Sequence, residues 1–188
     1  VASPLKLYDC CPFSDGASSV VLCSEKFAKA HGGDYVEVIG SGRGGSPAAL
    51  QGREHMTTIP STKIAAKAAY DMAGITAKDV DFAEVHDCFT IAEVVDTEDL
   101  GFFGKGQGIQ AIREDRTKLN SDISINPSGG LKSKGHPIGA TGVGQVVEVF
   151  DQLTGKAGER TVKDAKIGLT HNFGATGASC AVHVFQSV

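Results

Sequence analysis

Apolar and polar positions change their period several times along the chain. In "DYVEVIGSGRGG" they alternate from Tyr35 to Ile39, the two-residue period of a strand, and the run then enters glycines that read as a loop. "IPSTKIAAKAAYDMAG" has the period of a helix, with Ser61 placed as N-cap and Gly74 as its C-terminal stop. A strand of about five residues ending at Val85 follows, by the usual strand length. Thr90 and Glu93 then have the spacing of a capping box, which starts a helix within a residue or two of Cys88. Residues 143–153 predict another helix, and residues 166–171 and 178–185 predict two strands joined by "NFGATG". Ahead of Tyr35, "KLYDCCPFSDGASSVVLC" predicts an extended run, a turn at Ser14-Asp15-Gly16 and a buried strand over residues 17–23. Strand and helix alternate and close on a hairpin, so the pattern predicts a layered α/β domain with a mixed sheet. Residues 101–122 stand out as an irregular excursion.

At 188 residues and 41% hydrophobic composition, the chain has enough apolar material to close a sizeable core. The net charge of −4 is spread singly with no basic stripe, which argues against nucleic acid as a partner. Apolar runs such as "SVVLC" and "QVVEVF" are too short to span a bilayer, and no charged-then-apolar leader pattern opens the sequence, so no membrane partner is expected. Five cysteines without a CxxC argue against a disulfide framework or a zinc ribbon and point to a reducing, cytoplasmic setting. The 24 glycines suggest tight backbone approaches.

Candidate chemistry concentrates in three places. "EVHDCF" puts His86, Asp87 and Cys88 at a strand-to-helix junction. In an extended segment His86 and Cys88 share one face, and a helix start lowers a thiol pKa from about 8.5 toward neutrality, which would give a proton-transfer group; the competing reading is a buried, inert cysteine. In "GGLKSKGHPIGATG" Pro137 forces His136 into extended backbone among glycines that leave room for a substrate, against the plainer reading of a glycine-rich turn with a surface histidine. Lys132 and Lys134 read as no more than solvated loop. "HNFGATG" is a turn whose glycines free backbone N–H groups to face a ligand. "GSGRGG" matches a dinucleotide fingerprint formally, but Ser46-Pro47 follows at once and no acidic residue stands in the expected context. His86, Cys88, His136 and His171 lack the paired spacing of a zinc site, so no metal is expected.

In this order, "HDCF" at 86–89, "GGLKSKGHPIGATG" at 129–142 and "HNFGATG" at 171–177 resemble the C-terminal half of the thiolase superfamily, in its sterol-carrier-protein-2-type and archaeal acetoacetyl-CoA branch. "YDCCPFSDGASSVVL" is similar to the segment that joins the family's two halves. The resemblance implies half of a layered αβαβα architecture, with residues 1–34 ending the N-terminal half and residues 35–188 forming the C-terminal domain. It implies acyl transfer with Claisen condensation, or thiolysis, on coenzyme A thioesters, with no covalently bound cofactor. His136 would activate the nucleophilic thiol and donate to the thioester oxygen, His86 would share that oxyanion site, and Cys88 would move the α-proton. Gly174, Asn172 and Gly135 would lie along the oxyanion hole and substrate.

The family's acyl-accepting cysteine lies at a helix start in the other half. Cys10 and Cys11 sit in an extended run, and Cys23 and Cys180 in apolar strands, so none has that setting. The expectation is therefore a fragment or one piece of a split enzyme, inactive by itself. Its partners would be acyl-CoA and an N-terminal half carrying the nucleophile, in a homo-oligomer of the complete enzyme. A thiolase-like retro-aldolase and a non-catalytic scaffold subunit stay open as alternatives.

Overall fold

The computed structural model describes residues 3–188. One five-stranded mixed sheet organises them, in the order β1-β5-β4-β2-β3, with β1 at Val36–Gly45, β2 at Phe82–Glu84, β3 at Ser124–Ile125, β4 at Ile167–Gly174 and β5 at Ser179–Ser187. β1, β5 and β4 pair antiparallel, whereas β4, β2 and β3 run parallel. The helices are α1 (Glu25–His31), α2 (Pro60–Ala73), α3 (Thr90–Asp99), α4 (Gly108–Arg113), α5 (Gly130–Lys134) and α6 (Thr141–Leu153). The expected α/β class with a mixed sheet is thus observed, and α4 supplies one short helix to the excursion at 101–122.

The glycines after Ile39 are strand, not loop. Beyond a bulge between Val38 and Gly40, the residues through Gly45 pair with β5, and Gly40, Gly42 and Gly44 turn inward while Ser41 and Arg43 face out. A Cβ on Gly42 would stand 2.0 Å from the carbonyl oxygen of Ala65, and one on Gly44 1.9 Å from that of Ser61. The glycines therefore match Ser61, Ala65 and Ala69, one small residue per helical turn, and α2 lies backbone-close on the strand. That packing explains the fingerprint-like spacing without a nucleotide. It also displaces Ser61 from its expected capping role: Ile59 is the N-cap, Ser61 Oγ donates to the carbonyl of Gly177, and the Ile59 N–H is satisfied by Asp99. Gly74 closes α2 in the left-handed conformation, as expected.

Two cores flank the sheet. Ala65, Ala69, Val85, Leu169, Val182 and Val184 pack beneath α2 and α3. On the opposite face Phe82, Val149, Val162 and Phe185 meet under α6. Phe82 is fully buried because Gly168, its partner across the β2–β4 ladder, leaves the space its ring occupies. Burial of such a ring stabilises the fold by about 2–3 kcal/mol.

The segment at 17–23 departs most from expectation. It forms no strand, and Val21 and Leu22 are 89% and 81% exposed. Its apolar period is that of a strand, but it pairs with no strand of this sheet, so hydrophobicity alone does not bury it. Cys23 is correspondingly exposed, while Cys180 is packed in the core as its apolar strand predicts.

Candidate active site

Two loops leave the carboxyl ends of the parallel strands β2 and β3 beside the end of β4, at the edge where ligand crevices form in α/β sheets. The first carries His86, Asp87 and Cys88 and the second leads into α5 and His136, while His171 to Gly174 are the last four residues of β4 itself, with Asn172 to Gly174 strand rather than the expected turn because they pair with β5.

Asp87 joins the first two. Its carboxylate accepts the N–H groups of Leu131 at 2.7 Å and Lys132 at 3.3 Å, capping α5, and Gly130 has φ +63° with no room for a Cβ against that carboxylate. Glu84, fully buried, adds a second tie: it accepts from Ser128 N–H at 3.0 Å and Ser128 Oγ at 2.7 Å, and Lys134 Nζ stands 3.3 Å away. Lys132 Nζ donates to the carbonyl of Cys10 at 2.5 Å. Lys132 and Lys134 are therefore structural anchors of the loop rather than solvated bystanders.

Residues 10–14 stitch the two loops from outside. Cys11 N–H donates to the carbonyl of Cys88 at 2.9 Å, and His136 N–H donates to the carbonyl of Pro12 at 3.0 Å. Cys88 and His136 are thus bonded to successive residues of one strand-like segment, whose Cα atoms are about 3.8 Å apart. Gly135, at φ +86°, makes this possible, since a Cβ there would lie 2.4 Å from Ser14 Oγ. An open concavity beside His136 is lined by Ser14, Asp15, Gly16, Pro137, Ile138 and Gly139.

The protonation of His136 follows from its neighbours. Its Nδ1 lies 2.7 Å from Thr141 Oγ1, and that hydroxyl donates to the carbonyl of Pro137 at 3.1 Å. With that proton committed to Pro137, Thr141 is assigned as the acceptor of Nδ1–H, which leaves Nε2 as a free lone pair. Burial lowers the His136 pKa, and Asp87 partly offsets the effect. His86 meets the same imidazole edge to face with centroids 4.9 Å apart, and packs on Phe173 at 4.7 Å. Burial and then His136 push the His86 pKa down to about 4, so it is neutral at physiological pH.

Cys88 does not carry the lowered pKa that a helix start predicts. Burial above all pushes its thiol up, to about 12. The expected capping box is not formed either, because Phe89 is the N-cap of α3 and Glu93 accepts from Asn126 instead, at 3.3 Å. The helix dipole acts within its first turn, and here desolvation outweighs it.

The end of β4 divides its residues between two faces. His171 is fully buried toward α2 and α3, while Asn172 donates to Gln145 of α6 at 3.2 Å and Gln145 in turn donates to the carbonyl of His171 at 3.1 Å. Gly174 ends β4 at an exposed position with open space beside it. Among the described residues, no three His, Cys, Asp or Glu side chains converge as a metal site, and no helix is long and apolar enough to cross a membrane. Thr141, Asp96, Glu84 and Ser128 were not singled out from the sequence. Only Thr141 had a local signal, its place one turn beyond the His-Pro pair.

A family described as thiolase C-terminal domain-like matches residues 42–187. The chain belongs to that family. It is 48% identical to an acetyl-CoA acetyltransferase of Methanothermobacter thermautotrophicus over 99% of this chain and 49% of that protein. It is 39% identical to human sterol carrier protein 2 over 93% of this chain and 33% of that protein. It therefore spans about half or less of the curated relatives it matches. Among solved structures, an Ltp2-ChsH2(DUF35) aldolase superposes with a TM-score of 0.87 at 20% identity, over 100% of this chain and 48% of that one. At that identity the likeness is one of fold. In the thiolase-type chain, the HDCF and GHP segments of the sequence are the two loops that Asp87 joins.

Proposed function

We propose that this chain is the C-terminal part of a thiolase acting on acetyl-CoA, acetoacetyl-CoA or other 3-ketoacyl-CoA thioesters, and that residues 1–34 belong with an N-terminal half while residues 35–188 form the C-terminal domain. The observation that carries this is the free Nε2 of His136, held by Thr141 next to neutral His86 on the loop of Cys88. A bare imidazole nitrogen takes the proton of a nucleophilic thiol, and afterwards the resulting N–H donates to a thioester oxyanion; each such donor is worth about 3 kcal/mol in the transition state.

The nucleophilic cysteine would come from the N-terminal half. Its thiolate attacks the thioester carbonyl, the carbon–sulfur bond to coenzyme A breaks, and the departing thiolate takes the proton of the Cys88 thiol. The Cys88 thiolate so formed removes the α-proton of a second acyl-CoA, the enolate attacks the acyl-enzyme carbonyl, and the acyl–cysteine bond breaks as the cysteine sulfur takes back its proton from His136. A thiol with a high pKa has a strongly basic thiolate, which suits a weakly acidic carbon. Gly174, Asn172 and Gly135 would line this path. The exposed apolar residues Tyr8, Phe13, Val21 and Leu22 support the reading of residues 1–34 as a surface that another part of the enzyme covers. A homo-oligomer of the complete enzyme belongs to this reading.

Combining the chain with an N-terminal thiolase half tests it. Thiolysis of acetoacetyl-CoA should appear, and Cys88→Ala should remove it; undiminished turnover in that variant refutes the role given to Cys88.

A further inference from the structure

Behind Cys88 lies a buried acid that the proposed chemistry does not use. Asp96 on α3 and His171 on β4 are both 0% exposed, and Asp96 Oδ2 stands 3.7 Å from His171 Nδ1. Neither Asp96 oxygen has a hydrogen-bond partner, nor does that nitrogen. The charged groups acting on Asp96 are Asp99 and Glu93 on its own helix and Asp87 on the preceding loop, all of them acids.

The far side of His171 bears on the direction of its protons. Cys180 Sγ donates to the carbonyl of Ala181 at 3.8 Å, and Thr62 Oγ1 donates to Cys180 Sγ at 3.7 Å. Thr62 Oγ1 also lies 2.9 Å from His171 Nε2. A carbonyl only accepts, so with the hydroxyl and thiol protons of this row pointing toward Ala181, Thr62 is assigned as the acceptor of Nε2–H. His171 is then the tautomer with a bare Nδ1. A bare nitrogen needs a donor, and Asp96 supplies one only when protonated.

We propose that Asp96 is a carboxylic acid whose proton is donated to Nδ1 of His171, and that the pair are positioning residues locking α3 and the Cys88 loop onto β4 without a fixed negative charge behind the thiol. Closing the pair to hydrogen-bond distance takes a shift of roughly 0.5–1 Å. The consequence for Cys88 rests on its reading as the proton-transfer group. An ionised Asp96 would be the strongest charge opposing a thiolate there, and a neutral acid removes that opposition.

Isotope-edited infrared spectroscopy of the wild-type chain at pH 7 tests the pair directly. A protonated-carboxyl stretch should be present, should vanish in Asp96→Asn, and should shift in His171→Phe. Nitrogen-15 NMR of the wild-type chain should show His171 protonated on Nε2 alone. In the assembled enzyme Asp96→Ala should lower kcat about 10- to 100-fold with KM little changed, and Asp96→Asn, whose amide also donates to Nδ1, should recover most of it. The absence of an Asp96 carboxyl band, a proton on His171 Nδ1, or no recovery by Asn overturns the proposal. A band present alongside an active Cys88→Ala enzyme would instead sink the thiolase assignment of Cys88 and leave the pair standing.

Discussion

His86 and His136, fifty residues apart in sequence, meet edge to face with their ring centroids 4.9 Å apart and their planes at 82°. Each is held by a different device: His86 by burial against Phe173, His136 by Thr141 and by the backbone of Pro12. In the assembled enzyme, Thr141→Val should lower kcat about 10- to 100-fold by freeing the imidazole to adopt the other tautomer, whereas Thr141→Ser should retain most turnover. Equal activity of the two variants would contradict the tautomer assigned to His136.

Cys88 should be chemically quiet in the chain by itself. Its thiol is pushed up to about 12 and is partly buried, whereas Cys23 is exposed. At pH 7.5 iodoacetamide should modify Cys23 well before Cys88, as read by peptide mass. Faster labelling of Cys88 would restore the lowered pKa expected from its place before a helix.

Asp87→Ala should lose the cap of α5 and destabilise the chain by about 1–2 kcal/mol, with a lower Tm. The loop of His136 would loosen with it, so turnover of the assembled enzyme should fall as well. A variant as stable as the wild type would show that the two N–H bonds to Asp87 contribute nothing net.

Gly42→Ala places a methyl 2.0 Å from a backbone oxygen of α2 and should cost more than about 3 kcal/mol, enough to prevent folding of a marginal domain. Gly45→Ala, whose nearest neighbour would be 3.9 Å away, is the control and should fold normally. Denaturant titration distinguishes them, and tolerance of alanine at 42 would refute the close approach of α2 to β1.

Glu93 and His86 give opposite pH dependences. Burial raises the Glu93 pKa to about 7, so between about 4.5 and 7 the folded chain holds a proton that the unfolded chain has lost; this stabilisation is complete below that window and disappears as pH rises through it. His86, lowered to about 4, contributes stability above about 6.5 that is lost as pH falls through 4. Glu93→Gln, compared with wild type in urea, should therefore gain relative stability from pH 5 to 8. A constant difference would show that Glu93 does not titrate in that range.

Local pattern was informative wherever burial and period agree. The helix at 60–73, its stop at Gly74, the helix at 141–153 and the closing strand pair were legible because their apolar spacing matches the surface they cover. The strand at 17–23 and the glycine loop after Ile39 misled for one reason: the meaning of a residue there depends on what approaches it. Valines pair only if a strand is present to meet them, and glycines become strand when a helix needs their missing side chains.

The sequence by itself determined the residue types of the site and the loops that carry them, since His-Pro geometry and glycine freedom are local properties of the backbone. Tertiary structure alone decided their ionisation and their partners. Desolvation at Cys88, the tautomer of His136 and the buried meeting of Asp96 with His171 all arise from atoms far apart along the chain, whose dielectric surroundings and hydrogen-bond directions exist only once the sheet has formed.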